Sequence, residues 1–172
     1  MTGKTHLIGG GAAAALLLTM SPAPPVAAAV MGAAALAGSL LPDIDKRGTK
    51  VSNKVGLLGS LVRLFTTHRG ILHDPTLYIG IYAVLELPGG ISGYQRWAML
   101  GLLAGILSHI LLDALTVMGV PVLLVDLLRV PFDGKLKRRK YRLLKLATSG
   151  AGEWLTAALL SAGGGYLLLT LF

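Results

Sequence analysis

The stretch Ser108-His109-Ile110-Leu111-Leu112-Asp113 carries an imidazole and a carboxylate four residues apart. On a helix that spacing puts both side chains on one face. The surrounding run, Trp97 to Met118, is almost entirely apolar. Ionisable residues inside such a run are costly and read as functional with a partner. An imidazole with a carboxylate is metal-ligand chemistry. The 172 residues include no cysteine, so an ion must be held by the four His, the six Asp and the two Glu. The further candidate ligands are His6, Asp43 and Asp45, His68 and His73, and Glu153. Arg69 follows His68 and is a cation suited to phosphate oxygens.

Each of these residues also has a plainer reading. His109 and Asp113 suit a buried hydrogen-bonded pair without metal. His6 suits an interfacial position, and His68 and Arg69 suit the headgroup layer. Asp43 and Asp45 suit a turn. Asp74 reads as a helix cap rather than a ligand, and Glu153 suits the charge preference of a helix start. What weighs against the plainer readings is where the elements bring these residues.

The chain is 53% hydrophobic and 14% charged, against about a quarter charged in soluble domains. Its mean hydropathy is +0.69. This composition describes an all-α integral membrane bundle forming one domain over residues 1–172. The 23 glycines are suited to close helix packing. Five helices are expected: Leu7 to Met20, Val26 to Leu41, Pro75 to about Leu87, Trp97 to Met118, and Glu153 to Phe172. The first two are short for a full span and suit a hairpin sunk in the bundle. Leu57 to Phe65 suggests an interfacial helix, Val120 to Val130 a re-entrant or interfacial one, and Lys135 to Lys145 a basic tract on anionic headgroups. The first run also resembles a secretory signal in its basic start and short apolar core. A retained segment is expected, because His6 would be lost with it.

Helices that alternate across a bilayer place the start of the first, the end of the second, the start of the third, the late half of the fourth and the start of the fifth on one side. All the candidate ligands fall there. So do fifteen of the sixteen Lys and Arg, with Arg96 alone on the far side. The net charge of +8 is then explained by the positive-inside rule, without nucleic acid. The ligand face and the N-terminus are expected to face the cytoplasm.

Thr5-His6, Leu41-Pro42-Asp43-Ile44-Asp45, His68-Arg69-Gly70-x-x-His73, His109-x-x-x-Asp113-x-x-Thr116 and Ser149-Gly150-x-x-Glu153 resemble, in that order, the motifs of the membrane-bound, LexA-regulated metal-dependent hydrolases. Val117 stands where that pattern has proline. The family is in turn similar to zinc-dependent phospholipases C, all-helical enzymes with clustered zinc. The resemblance implies a bacterial or archaeal cytoplasmic-membrane enzyme that hydrolyses a phosphoester, with a lipid as partner and substrate. It implies Asp113 as a carboxylate bridging two ions. Zinc is expected first, with manganese and iron also suited to this donor set. The third zinc site of those enzymes uses a His-x-x-x-Glu pair, which this chain lacks. Asp43 or Asp45 is expected as general base and Arg69 as the cation that meets developing negative charge. The alternatives are a divalent-metal transporter and a structural protein stapled by metal.

The orientation is directly testable in a chain without cysteine. A single Cys at Ser92, probed with an impermeant thiol reagent on intact cells, should label; a single Cys at Lys50 should not. The opposite pattern would reverse the topology.

Overall fold

The computed structural model describes residues 1–45, 71–86, 90–128 and 139–171. His68, Arg69, the run 57–65 and the first part of the basic tract lie outside the described residues, as does the side chain of Asp45.

Helix α1, Gly3–Met20, ends at the Ser21-Pro22 break, and α2, Pro25–Gly38, opens with proline at its first turn. There the missing N–H is no loss. A 3₁₀ turn, Leu41–Asp45, follows. A second, Ile71–His73, leads into α3, Pro75–Glu86. Asp74 caps α3, its Oδ1 accepting the Thr76 N–H at 3.0 Å, as its sequence position suggested. Helix α4, Gly93–Ala114, has 22 residues, or roughly 33 Å at the helical rise. That matches the ~30 Å hydrocarbon core. Among the described residues it is the one helix long and apolar enough to cross a membrane. Helix α2 is apolar but shorter, in keeping with the expected short second run. After α4 come strand β1, Val120–Pro121, a short helix α5, Leu123–Leu128, strand β2, Lys140–Tyr141, and α6, Ala151–Leu169.

The centre of the molecule is the contact of α4 with α2, the most extensive in the fold, with α1 lying against α4 and α6. Its basis is a stripe at every fourth residue. On α4 the stripe runs Gly101, Gly105, His109, Asp113; on α2 and its C-cap it runs Ala27, Met31, Ala35, Ser39, and all eight are buried. A Cβ on Gly101 would strike the Met31 carbonyl, one on Gly105 the Ala35 carbonyl, and one on Gly38 the Leu102 carbonyl. The two backbones therefore touch, as small residues allow in membrane helices.

The C-terminal end of α4 differs from expectation. The helix stops at Ala114, not near Met118. Thr116 folds back, its hydroxyl donating to the Asp113 carbonyl at 2.7 Å. The returning chain then satisfies carbonyls that a helix end leaves open. The Leu143 N–H donates to Ala114 O at 2.8 Å and the Leu146 N–H to Leu115 O at 3.0 Å. Strands β1 and β2 pair antiparallel, Val120 opposite Tyr141 and Pro121 opposite Lys140. Gly119, at φ 64°, makes the turn into β1, and a Cβ there would strike the Tyr141 carbonyl. Part of the expected basic tract is thus a strand tied to the helix end, and the expected re-entrant stretch is β1 followed by α5.

Polarity is inverted relative to a water-soluble domain. Thr5, His6, Asp43, His73, Asp74, His109, Asp113, Asp126 and Glu153 are buried. Leu159 and Leu169, by contrast, are 65% and 80% exposed, and α3 buries none of its residues. Apolar side chains facing outward over helices of this length suit a lipid surround.

Gly105→Leu should destabilise the protein by about 1–3 kcal/mol or more, the usual cost of overpacking. Gly163→Ala, where a Cβ meets nothing within 4 Å, should be neutral or gain up to about 1 kcal/mol of helix propensity. Thermal unfolding of both variants in the same detergent checks the contrast. Equal melting temperatures would contradict the close α2–α4 contact.

Candidate metal centre

His109 is fully buried on α4, and its Nδ1–H donates to the Ser39 carbonyl at 2.7 Å. A carbonyl only accepts, so the proton is on Nδ1 and the Nε2 lone pair faces inward. Ser39 follows the last residue of α2, and a helix end leaves carbonyls open to such a donor. A hydrogen bond of this kind, made by the ring nitrogen turned away from the ion, fixes the tautomer and rotation of metal-binding histidines. The inward Nε2 lies 3.8 Å from Asp113 Oδ2 and 4.0 Å from Asp43 Oδ1.

Asp113, one helical turn further on, has imidazoles on both its oxygens. Oδ2 is 3.6 Å from His73 Nε2, and Oδ1 is 3.5 Å from His6 Nε2. Oδ1 also accepts a 2.6 Å hydrogen bond from the Met1 ammonium. The rings of His6 and His109 stack at 3.6 Å between centroids, and His73 meets His109 edge-on at 5.2 Å. The local structures explain the placement. His6 lies in the first turn of α1, and His73 closes the second 3₁₀ turn just before the Asp74 cap. Asp43 lies in the first 3₁₀ turn, which leaves α2 beside α4.

Two overlapping triplets result, His6 with His109 and Asp113, and Asp43 with His73 and His109. Within each, one candidate ligand atom per residue lies within 4.8 Å of the others. The donor set fits a divalent ion on two counts. Donors at about 2.1 Å from a shared cation stand roughly 3–4 Å from one another, and the separations here are 3.5–4.0 Å. In addition, His6 Nδ1 and His109 Nε2 are buried without a hydrogen-bond partner. Buried polar atoms rarely go unsatisfied unless a ligand or ion completes them.

Five of the residues expected at the site are therefore together: His6, Asp43, His73, His109 and Asp113. Glu153 is in neither triplet and has a different set of partners. Its Oε1 accepts the Thr2 N–H at 2.5 Å and the Thr5 hydroxyl at 2.6 Å, and its Oε2 accepts the Ser149 N–H at 2.6 Å. With its lone pairs so engaged, Glu153 ties the start of α1 to the start of α6, close to the helix-start reading. His68, Arg69 and the Asp45 side chain lie outside the described residues.

Two further carboxylates brace the surroundings. Asp74 Oδ2 accepts the Leu123 N–H at 2.9 Å, linking the residue after His73 to the start of α5. Asp126, inside the otherwise apolar stretch that follows Val120, is 2% exposed and accepts the Tyr141 hydroxyl at 2.7 Å and the Arg139 N–H at 3.2 Å. The Ser39 carbonyl escaped sequence reading altogether, because a backbone acceptor has no residue signature.

Comparison with known proteins agrees with the membrane character of the chain. The uncharacterized protein YvsG of Bacillus subtilis (strain 168) is 29% identical over 132 residues, which is 76% of this chain and 77% of that protein. No solved structure matches. The sequence model of the YdjM inner membrane protein family matches residues 1–170, and with nearly the whole length covered, this chain belongs to that family.

Proposed function

We propose that the protein is a membrane-bound, metal-dependent hydrolase that cleaves a phosphoester at the cytoplasmic face, with a lipid headgroup as the substrate class. The observation that carries the metal is the clustering of three buried imidazoles and two carboxylates, with His6 Nδ1 and His109 Nε2 lacking hydrogen-bond partners. The hydrolytic part rests on the resemblance of the motifs, and the lipid part on the membrane location and the basic residues on the ligand side. Zinc, manganese or iron suits the donor set.

Bound divalent ions would lower the pKa of a water and polarise phosphoryl oxygens. The roles of the chain's own residues follow from their positions. The Ser39 carbonyl holds the His109 ring with Nε2 toward the cluster. Asp113 presents one oxygen to His6 and the Met1 ammonium and the other to His73 and His109; by resemblance this carboxylate would hold the metal. Asp43, at 6%, is the most exposed of the five. It is the carboxylate best placed to take a proton from an attacking water, a role it shares as candidate with Asp45. Arg69 is assigned by resemblance to the charge on the phosphoryl oxygens.

Asp113→Asn should abolish metal retention and lower phosphoester hydrolysis by more than about 100-fold. Loss of a residue merely behind the ligands already costs ~10–100-fold, and an amide bridges cations poorly. Glu153→Gln should keep the metal and lose stability instead. The checks are elemental analysis of gently extracted protein and hydrolysis of nitrophenyl phosphodiesters and of phospholipid in mixed micelles. A wild-type protein that takes up none of the three metals would refute the centre. One that binds metal yet cleaves no phosphoester would leave the centre standing as a staple or a transport site.

A further inference from the structure

We propose that the groove on the outer side of α4 binds one acyl chain of an anionic phospholipid, whose phosphate lies against the basic strand β2 and the residues that follow it. The groove has a volume of about 250 Å³ and is walled by Pro75 at the start of α3, Leu107, Leu111 and Ala114 on α4, and Tyr141 and Leu143 of the returning chain. Its walls are apolar, and drug-sized ligands fill roughly 300–1,000 Å³, so the space suits a slender hydrocarbon rather than a headgroup. Leu107 and Leu111 are each two residues from His109, about 200° around the helix. The groove therefore opens on the side of α4 away from the metal centre, and Leu111 is 55% exposed there. Helix α4 is the clearest membrane span, so an apolar groove on its outer side faces acyl chains.

Charge selects the headgroup. Tyr141 and Leu143 line the groove, while Lys140 on β2 and Arg142 just after it are exposed, as is Lys145. No exposed carboxylate answers them among the described residues. Asp126 is buried on the Tyr141 hydroxyl and Asp74 on the Thr76 and Leu123 amides. The hydrogen bond from the Leu143 N–H to Ala114 O fixes this basic segment to the end of α4. A chain lying in the groove thus brings its phosphate to cations at the headgroup end. This binding does not depend on hydrolysis at the metal centre.

The full chain in nanodiscs of phosphatidylcholine, doped with phosphatidylglycerol or phosphatidylcholine carrying a photoreactive diazirine on one acyl chain, provides the test. Peptide mapping after photolysis should place the phosphatidylglycerol label at 107–114 and 141–143, several-fold above the phosphatidylcholine label. Lys140→Gln and Arg142→Gln should each lower that preference by about fivefold, the equivalent of ~1 kcal/mol per basic residue at a membrane surface. The phosphatidylcholine label should not change. Leu111→Trp should displace both lipids by filling the groove. Equal labelling by the two lipids, labelling spread evenly to the outward face of α6 around Leu159, or a preference indifferent to both charge variants would overturn the proposal.

Discussion

The contact between the backbones of α2 and α4 governs the rest of the molecule. Gly101, Gly105 and Gly38 have no side chains to hold the helices apart, and the Met31, Ala35 and Leu102 carbonyls occupy the space a Cβ would take. Because the α4 stripe continues through His109 and Asp113, the same register that closes the helices delivers the His109 ring to the Ser39 carbonyl. Membrane helices gain little from burying apolar surface against one another, since lipid is equally apolar. Close packing and interhelical hydrogen bonds must do that work. Here both come from a single four-residue repeat, so the stability of the bundle and the aim of the imidazole share one cause.

The interior so formed is polar. Burying that many hydrogen-bonding groups is tolerable only when each is answered. Asp74, Asp126 and Glu153 are answered by backbone amides and hydroxyls. These three carboxylates hold the start of α1, the start of α3, α5 and β2 around the cluster. The cluster itself retains the His109 Nε2, turned toward Asp43 and Asp113 without a hydrogen bond, which distinguishes it from the braces around it.

Much of this was legible in the residues. The His109–Asp113 spacing marked the face of α4 that carries the cluster, and the Pro and Gly breaks placed α1, α2 and α3 to within a few residues. Helix alternation brought His6, Asp43, His73, His109 and Asp113 to one end. Three features were not legible, each for a definite reason. Glu153 at a helix start has the same signature as a ligand and as a brace, and only the positions of Thr2, Thr5 and Ser149 separate the two. The β1–β2 pairing joins two-residue strands that carry no alternation to detect. The early end of α4 at Ala114 depends on donors from Leu143 and Leu146, some thirty residues further along, and no local propensity encodes them.

The Thr5–Glu153 bond spans 148 positions of the sequence. During synthesis His6 is made early, yet the Glu153 brace on the helix that carries it forms only when the chain has grown past that residue. Closing so long a loop is entropically slow compared with the pairing of neighbouring helices. The contacts of α1 with α2 and α4 can therefore form first, and the tie of α1 to α6 closes last. His6 can thus stack on His109 before the start of its helix is braced, and the braced constellation belongs to the finished fold.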